Sequence, residues 1–68
     1  MIGVKFTERE KLVVNLVNQG CTNREIGAKI DRSRQGISNV LQVIYDKTGM
    51  SSRLELALWW EAHRQYYV

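Results

Sequence analysis

Apolar residues recur at helical spacing through four segments of the chain, and each segment opens on a residue able to cap it. Ile37, Val40, Leu41, Ile44 and Tyr45 fall at i, i+3, i+4, i+7 and i+8, a full stripe along one helix face. Ile26 and Ile30 mark a shorter stripe just before it, and Leu12, Val13, Leu16 and Val17 another further upstream. Leu54, Leu56, Ala57, Leu58, Trp59, Trp60 and Ala62 make a last segment too apolar for a single face. Thr7 with Glu10, Thr22 with Glu25, and Ser52 with Glu55 have capping-box spacing, in which the hydroxyl takes the N3 amide and the carboxylate returns to the cap amide. Asp31-Arg32 interrupts the pattern, and Ser33 caps the next helix. Gly20 and Gly49 suit left-handed positions just past helix ends. The pattern predicts an all-α chain with helices at about 8–19, 23–30, 34–47 and 53–64. They form a domain over 7–64, between an extended arm over 1–6 and a tail over 65–68 that is frayed or ordered by a partner. Phe6 lacks the usual apolar staple partner, because Lys11 stands at that position.

With 68 residues the chain is one domain at most, small enough that oligomerisation is a reasonable source of added stability. Cys21 is the sole cysteine, which excludes an internal disulfide or a cysteine-rich metal site and fits a reducing compartment. It reads as a small apolar plug under the second helix. No apolar run reaches membrane-spanning length and no signal-peptide pattern is present, so a cytoplasmic protein without a membrane segment is expected. His63 has no Cys or Ser partner nearby in sequence, and there is no Gly-rich phosphate loop or metal-ligand spacing, so no enzyme, metal or cofactor is expected. Gly27 and Ala28 are small enough for a close helix crossing, whereas Gly36 either admits a partner's backbone or simply weakens the helix start.

The net charge is +3, and Arg24, Lys29, Arg32 and Arg34 outweigh Glu25 and Asp31 around the middle helix pair. A basic patch there meets phosphates. The polar face of the 34–47 helix carries Gln35, Ser38, Asn39, Gln42 and Asp46. Such side chains donate and accept as base edges do, whereas a plainly solvated helix face is usually rich in Lys and Glu. A short helix, a tight turn and a second helix with this face make a helix-turn-helix pattern. On this reading Arg34, Gln35, Ser38, Asn39 and Gln42 contact bases, while Thr22, Asn23, Ser33 and Lys47 hold phosphates of double-stranded DNA.

Thr7-Glu8-Arg9-Glu10, Gly20, Thr22-Asn23-Arg24-Glu25-Ile26, the 37–45 stripe, Lys47-Thr48-Gly49-Met50 and Arg53-Leu54-Glu55 together resemble the LuxR-type (GerE-type) helix-turn-helix domain. The resemblance covers roughly Phe6 to Arg64. It implies a four-helix domain of a bacterial transcription regulator, with the third helix in the major groove and dimerisation through the fourth. Members are often the output domain of a larger regulator; with Met1 as the native start, this chain is expected to stand alone. The family usually has Thr-Val-Lys-x-His where this chain has Gly36-Ile37-Ser38-Asn39-Val40, so a phosphate-facing hydroxyl and a groove-facing base are lost. Arg32 replaces an apolar residue and Gln42 a common basic one, while Arg32 and Arg34 restore part of the charge.

In the fourth helix Leu56, Trp59, Trp60 and His63 share one face, and Leu54, Ala57, Leu58 and Glu61 a neighbouring one. Successive helical residues lie about 100° apart, so the two adjacent indoles cannot both point inward. The resemblance makes a second copy the expected partner, with Leu56, Trp59, Trp60 and His63 as the dimer interface. An alternative is a protein-interaction module that sequesters a related regulator or contacts RNA polymerase.

Overall fold

A computed structural model describes residues 3–67. Four α-helices follow in order: α1 (Glu8–Asn18), α2 (Asn23–Ile30), α3 (Arg34–Thr48) and α4 (Arg53–His63), with a 3₁₀ turn over Arg64–Tyr67. Each start is set locally. The Thr7 and Thr22 hydroxyls accept from the Glu10 and Glu25 amides, and both glutamates reach back to the cap amides. The Ser33 hydroxyl accepts from the Gly36 amide, as expected of a cap. At α4 the reciprocal bond is displaced: Ser52 caps Glu55, but the Glu55 carboxylate takes the Ser51 amide and hydroxyl at 2.9 and 2.7 Å. Gly20 and Gly49 are left-handed, with φ of 91° and 75°.

The helices pack around Val13, Val14, Leu16, Val17, Ile26, Ile37, Leu41, Ile44, Leu56 and Trp60. On α1 the buried stripe is shifted from the expected one: Val14 is fully buried and Leu12 is 45 % exposed. Both α3 and α4 pack on α1, and together they enclose the face that includes Val14 rather than the one bearing Leu12. On α3 the stripe is deepest at Ile37, Leu41 and Ile44, with Val40 and Tyr45 at its margins.

The ends of the described chain are held by aromatics. Phe6 finds its staple in α4, meeting Trp59 and Trp60 edge-on at 5.8 and 6.1 Å between ring centres. Tyr67 joins the same cluster, stacked on Trp60 at 5.5 Å, and its hydroxyl donates to the Val4 carbonyl at 2.8 Å. Within the tail Tyr67 packs on its own chain, while Gln65 and Tyr66 are exposed; Val68 lies outside the described residues, as do Met1 and Ile2 of the arm. Burial and desolvation raise the Tyr67 phenol above its ordinary pKa. Among the described residues no helix is long and apolar enough to cross a membrane.

Candidate nucleic-acid interface

The turn between α2 and α3 depends on two backbone features. Asp31 closes α2 in the left-handed region, with φ of 59°, an uncommon conformation that aspartate tolerates better than most residues. The Asp31 and Arg32 amides both donate to the Gly27 carbonyl. Gly27 is buried, and a Cβ built on it would overlap the Arg32 carbonyl oxygen. The small residue therefore serves the return of the turn itself rather than a helix crossing. Gly36 has no such constraint, since a Cβ there would stand 3.4 Å from the Ser33 hydroxyl.

This turn brings the N-termini of α2 and α3 to one open groove of about 800 Å³, lined by Thr22, Asn23, Arg24, Arg34, Gln35 and Ser38. Two residues expected at phosphates and three expected at bases thus line a common surface, joined by Arg24. Arg24 stands in the first turn of α2, beside a cap already expected at the backbone; that position is the signal that could have included it. Both helix ends favour anions through their amides and macrodipoles. Among the described residues neither Arg24 nor Arg34 is held in an ion pair. Glu25 opposes them in charge, and the Thr22 amide and hydroxyl hold its carboxyl below the ordinary value.

Arg53 braces the groove from α4. Its guanidinium donates to the Asn23 side-chain carbonyl and to the Cys21 backbone carbonyl, each at 2.6 Å. Cys21 is half-buried against the core beneath the start of α2. The bond from Arg53 occupies Asn23 Oδ1 and leaves its Nδ2 as the donor of that side chain.

Along α3 the amides are coupled in pairs. Gln35 Nε2 donates to Asn39 Oδ1 at 3.0 Å, and Gln42 Nε2 donates to Asp46 Oδ1 at 3.3 Å. Arg34, Gln35, Ser38, Asn39 and Gln42 are all exposed. Lys47 is oriented otherwise: its ammonium donates to buried Glu10 at 2.7 Å and to the Lys5 carbonyl at 3.0 Å. Lys47 is expected at a phosphate; here its charge joins α3, α1 and the arm. Burial raises the Glu10 carboxyl, but the hydrogen bonds and charge from Lys47 and Thr7 outweigh it, and the net pKa is lowered.

Residues 4–60 match the family model described as bacterial regulatory proteins, luxR family. The chain belongs to the LuxR family. Its members are helix-turn-helix, DNA-binding transcription regulators, and the four-helix architecture without strands among the described residues agrees. The chain is also 40% identical over 55 residues to "Response regulator Rre1" of Synechocystis sp., a match covering 81% of this chain and 24% of that protein. The LuxR-family chain thus spans about a quarter of the length of this relative. No solved structure matches it.

The LuxR-family domain also resolves the two faces of α4. Leu56 is fully buried and Trp60 is 5 % exposed, with its Nε1 donating to Asn15 Oδ1 at 3.4 Å. Both are corrected from interface to core, having almost no surface to give a second copy. Trp59 is half-buried under Phe6 and stacked on His63 at 4.4 Å, and His63 Nδ1 lies 2.7 Å from the Trp59 carbonyl. The large apolar surface of α4 belongs instead to Leu54 and Leu58, 70 % and 63 % exposed. Sequence reasoning placed these two on a neighbouring face; their i, i+4 spacing was the signal.

Proposed function

We propose that this domain, spanning about residues 7–64, binds double-stranded DNA sequence-specifically with α3 in the major groove. The observation that carries the reading is the convergence of two helix N-termini and two arginines, held in no ion pair among the described residues, on one open groove that continues onto the amide face of α3. Arg34, Gln35, Ser38, Asn39 and Gln42 are the base-contacting set. Thr22, Asn23 and Ser33, with Arg24 added, hold the backbone. Lys47 is left out of that set because Glu10 engages it.

Two copies pair through α4, using Leu54 and Leu58 with the exposed edges of Trp59 and His63. A twofold pairing of this kind presents two copies of α3 to half-sites about one DNA turn apart. Burying two leucines per copy in place of water favours association, and their present exposure calls for a partner.

The test is anisotropy with random duplex DNA across a salt series, followed by selection of preferred sites. Salt-dependent binding and a selected paired site support the reading. Absence of binding to any duplex at low salt refutes it. Leu58→Glu should lose the weak self-association that wild type shows at high protein concentration and need more protein to fill a paired site, with its helical circular dichroism retained.

A further inference from the structure

Val43 is 45 % exposed on α3, and no role follows for it from packing. A β-branched residue is a poor choice for a helix surface, where Lys, Glu or Gln form helix better and cost no apolar exposure. Its neighbours give the position meaning. Val43 lies one turn beyond Asn39 and two beyond Gln35, so the three make a stripe at i, i+4 and i+8 on the exposed side of α3. Within that stripe Gln35 Nε2 donates to Asn39 Oδ1 at 3.0 Å. In this arrangement the Asn39 oxygen faces Gln35 and its Nδ2 is left free. One lone pair on Oδ1 and both Nδ2 hydrogens remain, which is the acceptor–donor set that matches adenine N6 and N7.

We propose that Val43 is a specificity-determining residue that packs on the 5-methyl group of a thymine beside the adenine held by Asn39. The proposal rests on the DNA-binding reading and deepens it. The scale fits: side chains one helical turn apart are separated by about 5–6 Å, and successive bases on a strand by about 3.4 Å along the duplex axis. A residue one turn along from an adenine contact therefore reaches a base pair one or two steps away. Of the groups a base pair offers in the major groove, the thymine methyl is the one that an isopropyl group recognises. An arginine or lysine at this position would read guanine or phosphate instead. The choice of valine biases the site toward A·T pairs at this end of the contact.

The test compares wild type and Val43→Ala on the duplex selected by the wild type and on the same duplex with deoxyuridine replacing that thymine. The base change removes one methyl group and leaves the pairing edge intact. Removing the methyl should weaken wild-type binding about fourfold, the value of one buried methylene-sized group. Val43→Ala should bind the thymine duplex about as weakly and should be insensitive to the deoxyuridine change. Circular dichroism should be unaltered, because Ala is the better helix former. Equal sensitivity of both proteins to the methyl overturns the proposal, as does a selected site with no thymine within two steps of the position that Asn39→Ala relaxes. Binding to random duplex separates the two levels. If that binding is present and salt-dependent, a failed thymine test removes only the role of Val43. If it is absent, the DNA reading falls and this proposal falls with it.

Discussion

Replacing Gly27 by Ala should destabilise the domain, although helix propensity argues for the opposite sign. In a helix interior Ala is favoured over Gly by about 1 kcal/mol. At Gly27 the added Cβ would overlap the Arg32 carbonyl oxygen, a backbone atom with no rotamer to escape into. The turn must open, at an overpacking cost of roughly 1–3 kcal/mol. Opening also strains the bonds that the Asp31 and Arg32 amides donate to the Gly27 carbonyl, the latter at 2.8 Å. Each contributes about 1 kcal/mol. The net loss is about 1–3 kcal/mol, a large share of the roughly 3–10 kcal/mol expected for a chain of this size. Gly36→Ala is the matched control. Its Cβ would sit at ordinary contact distance, 3.4 Å from Ser33 Oγ and 3.8 Å from Arg32 Cβ, so up to about 1 kcal/mol should be gained. Urea melts decide between them: the midpoint should fall by about 1 M or more for Gly27→Ala and hold or rise for Gly36→Ala. A Gly27→Ala protein as stable as wild type would refute the claim that this turn needs glycine.

Lys47→Ala leaves the Glu10 carboxylate, 8 % exposed at the residue level, without its 2.7 Å cation. About 1–2 kcal/mol of stability should be lost, less than for a deeply buried pair because the lysine side chain is 35% exposed. Since the folded pKa of Glu10 lies below 4.5, its contribution is fully present above that value and is lost as pH falls through the lower folded pKa. The wild-type thermal midpoint should accordingly drop more steeply than that of Lys47→Ala on acidification below about pH 5; parallel curves would contradict the assignment. Leu56→Ala and Trp60→Ala should each cost about 2–5 kcal/mol, enough to unfold much of the population by circular dichroism.

The helix starts were legible because their causes are local. A hydroxyl and a carboxylate three residues apart declare a cap without reference to anything else, and Thr7 and Thr22 behave accordingly. The groove was largely legible for the same reason, since Thr22, Asn23, Arg34 and Gln35 lie in first turns of adjacent helices. What escaped depends on contacts across the chain. Leu12 and Val14 both suit a helical stripe, and only the packing of α3 and α4 on α1 selects Val14. Nothing in the local sequence says that Lys47 will meet Glu10, 37 positions away, or that Arg53 will meet Asn23, 30 positions away. The division of the α4 surface between core and exterior escaped for the same reason. The i, i+3, i+4, i+7 spacing of Leu56, Trp59, Trp60 and His63 was correct, but it identifies a shared face and not which body covers it.

That last point bears on how the domain divides its apolar surface. Trp59 and Trp60 project about 100° apart, and the chain covers both, Trp60 with α1 and Trp59 with Phe6 and Tyr67. The arm therefore takes part of the role that dimerisation was expected to fill. Leu54 and Leu58 lie beyond the reach of this aromatic cluster, one turn apart on the remaining face, with Glu55 and Glu61 nearby and exposed. A surface of two leucines per copy is too small to hold a tight dimer alone, because association must first offset several kcal/mol of lost translational and rotational freedom. Pairing through it is consequently expected to be weak in free solution and to become strong on DNA, where two adjacent half-sites supply the effective concentration. The amide-rich face of α3, poor in lysine, works in the same direction. A single copy reaches one half-site only, so full occupancy of a paired site rests on two copies engaging both half-sites together, above the salt-dependent random binding that Arg24 and Arg34 supply.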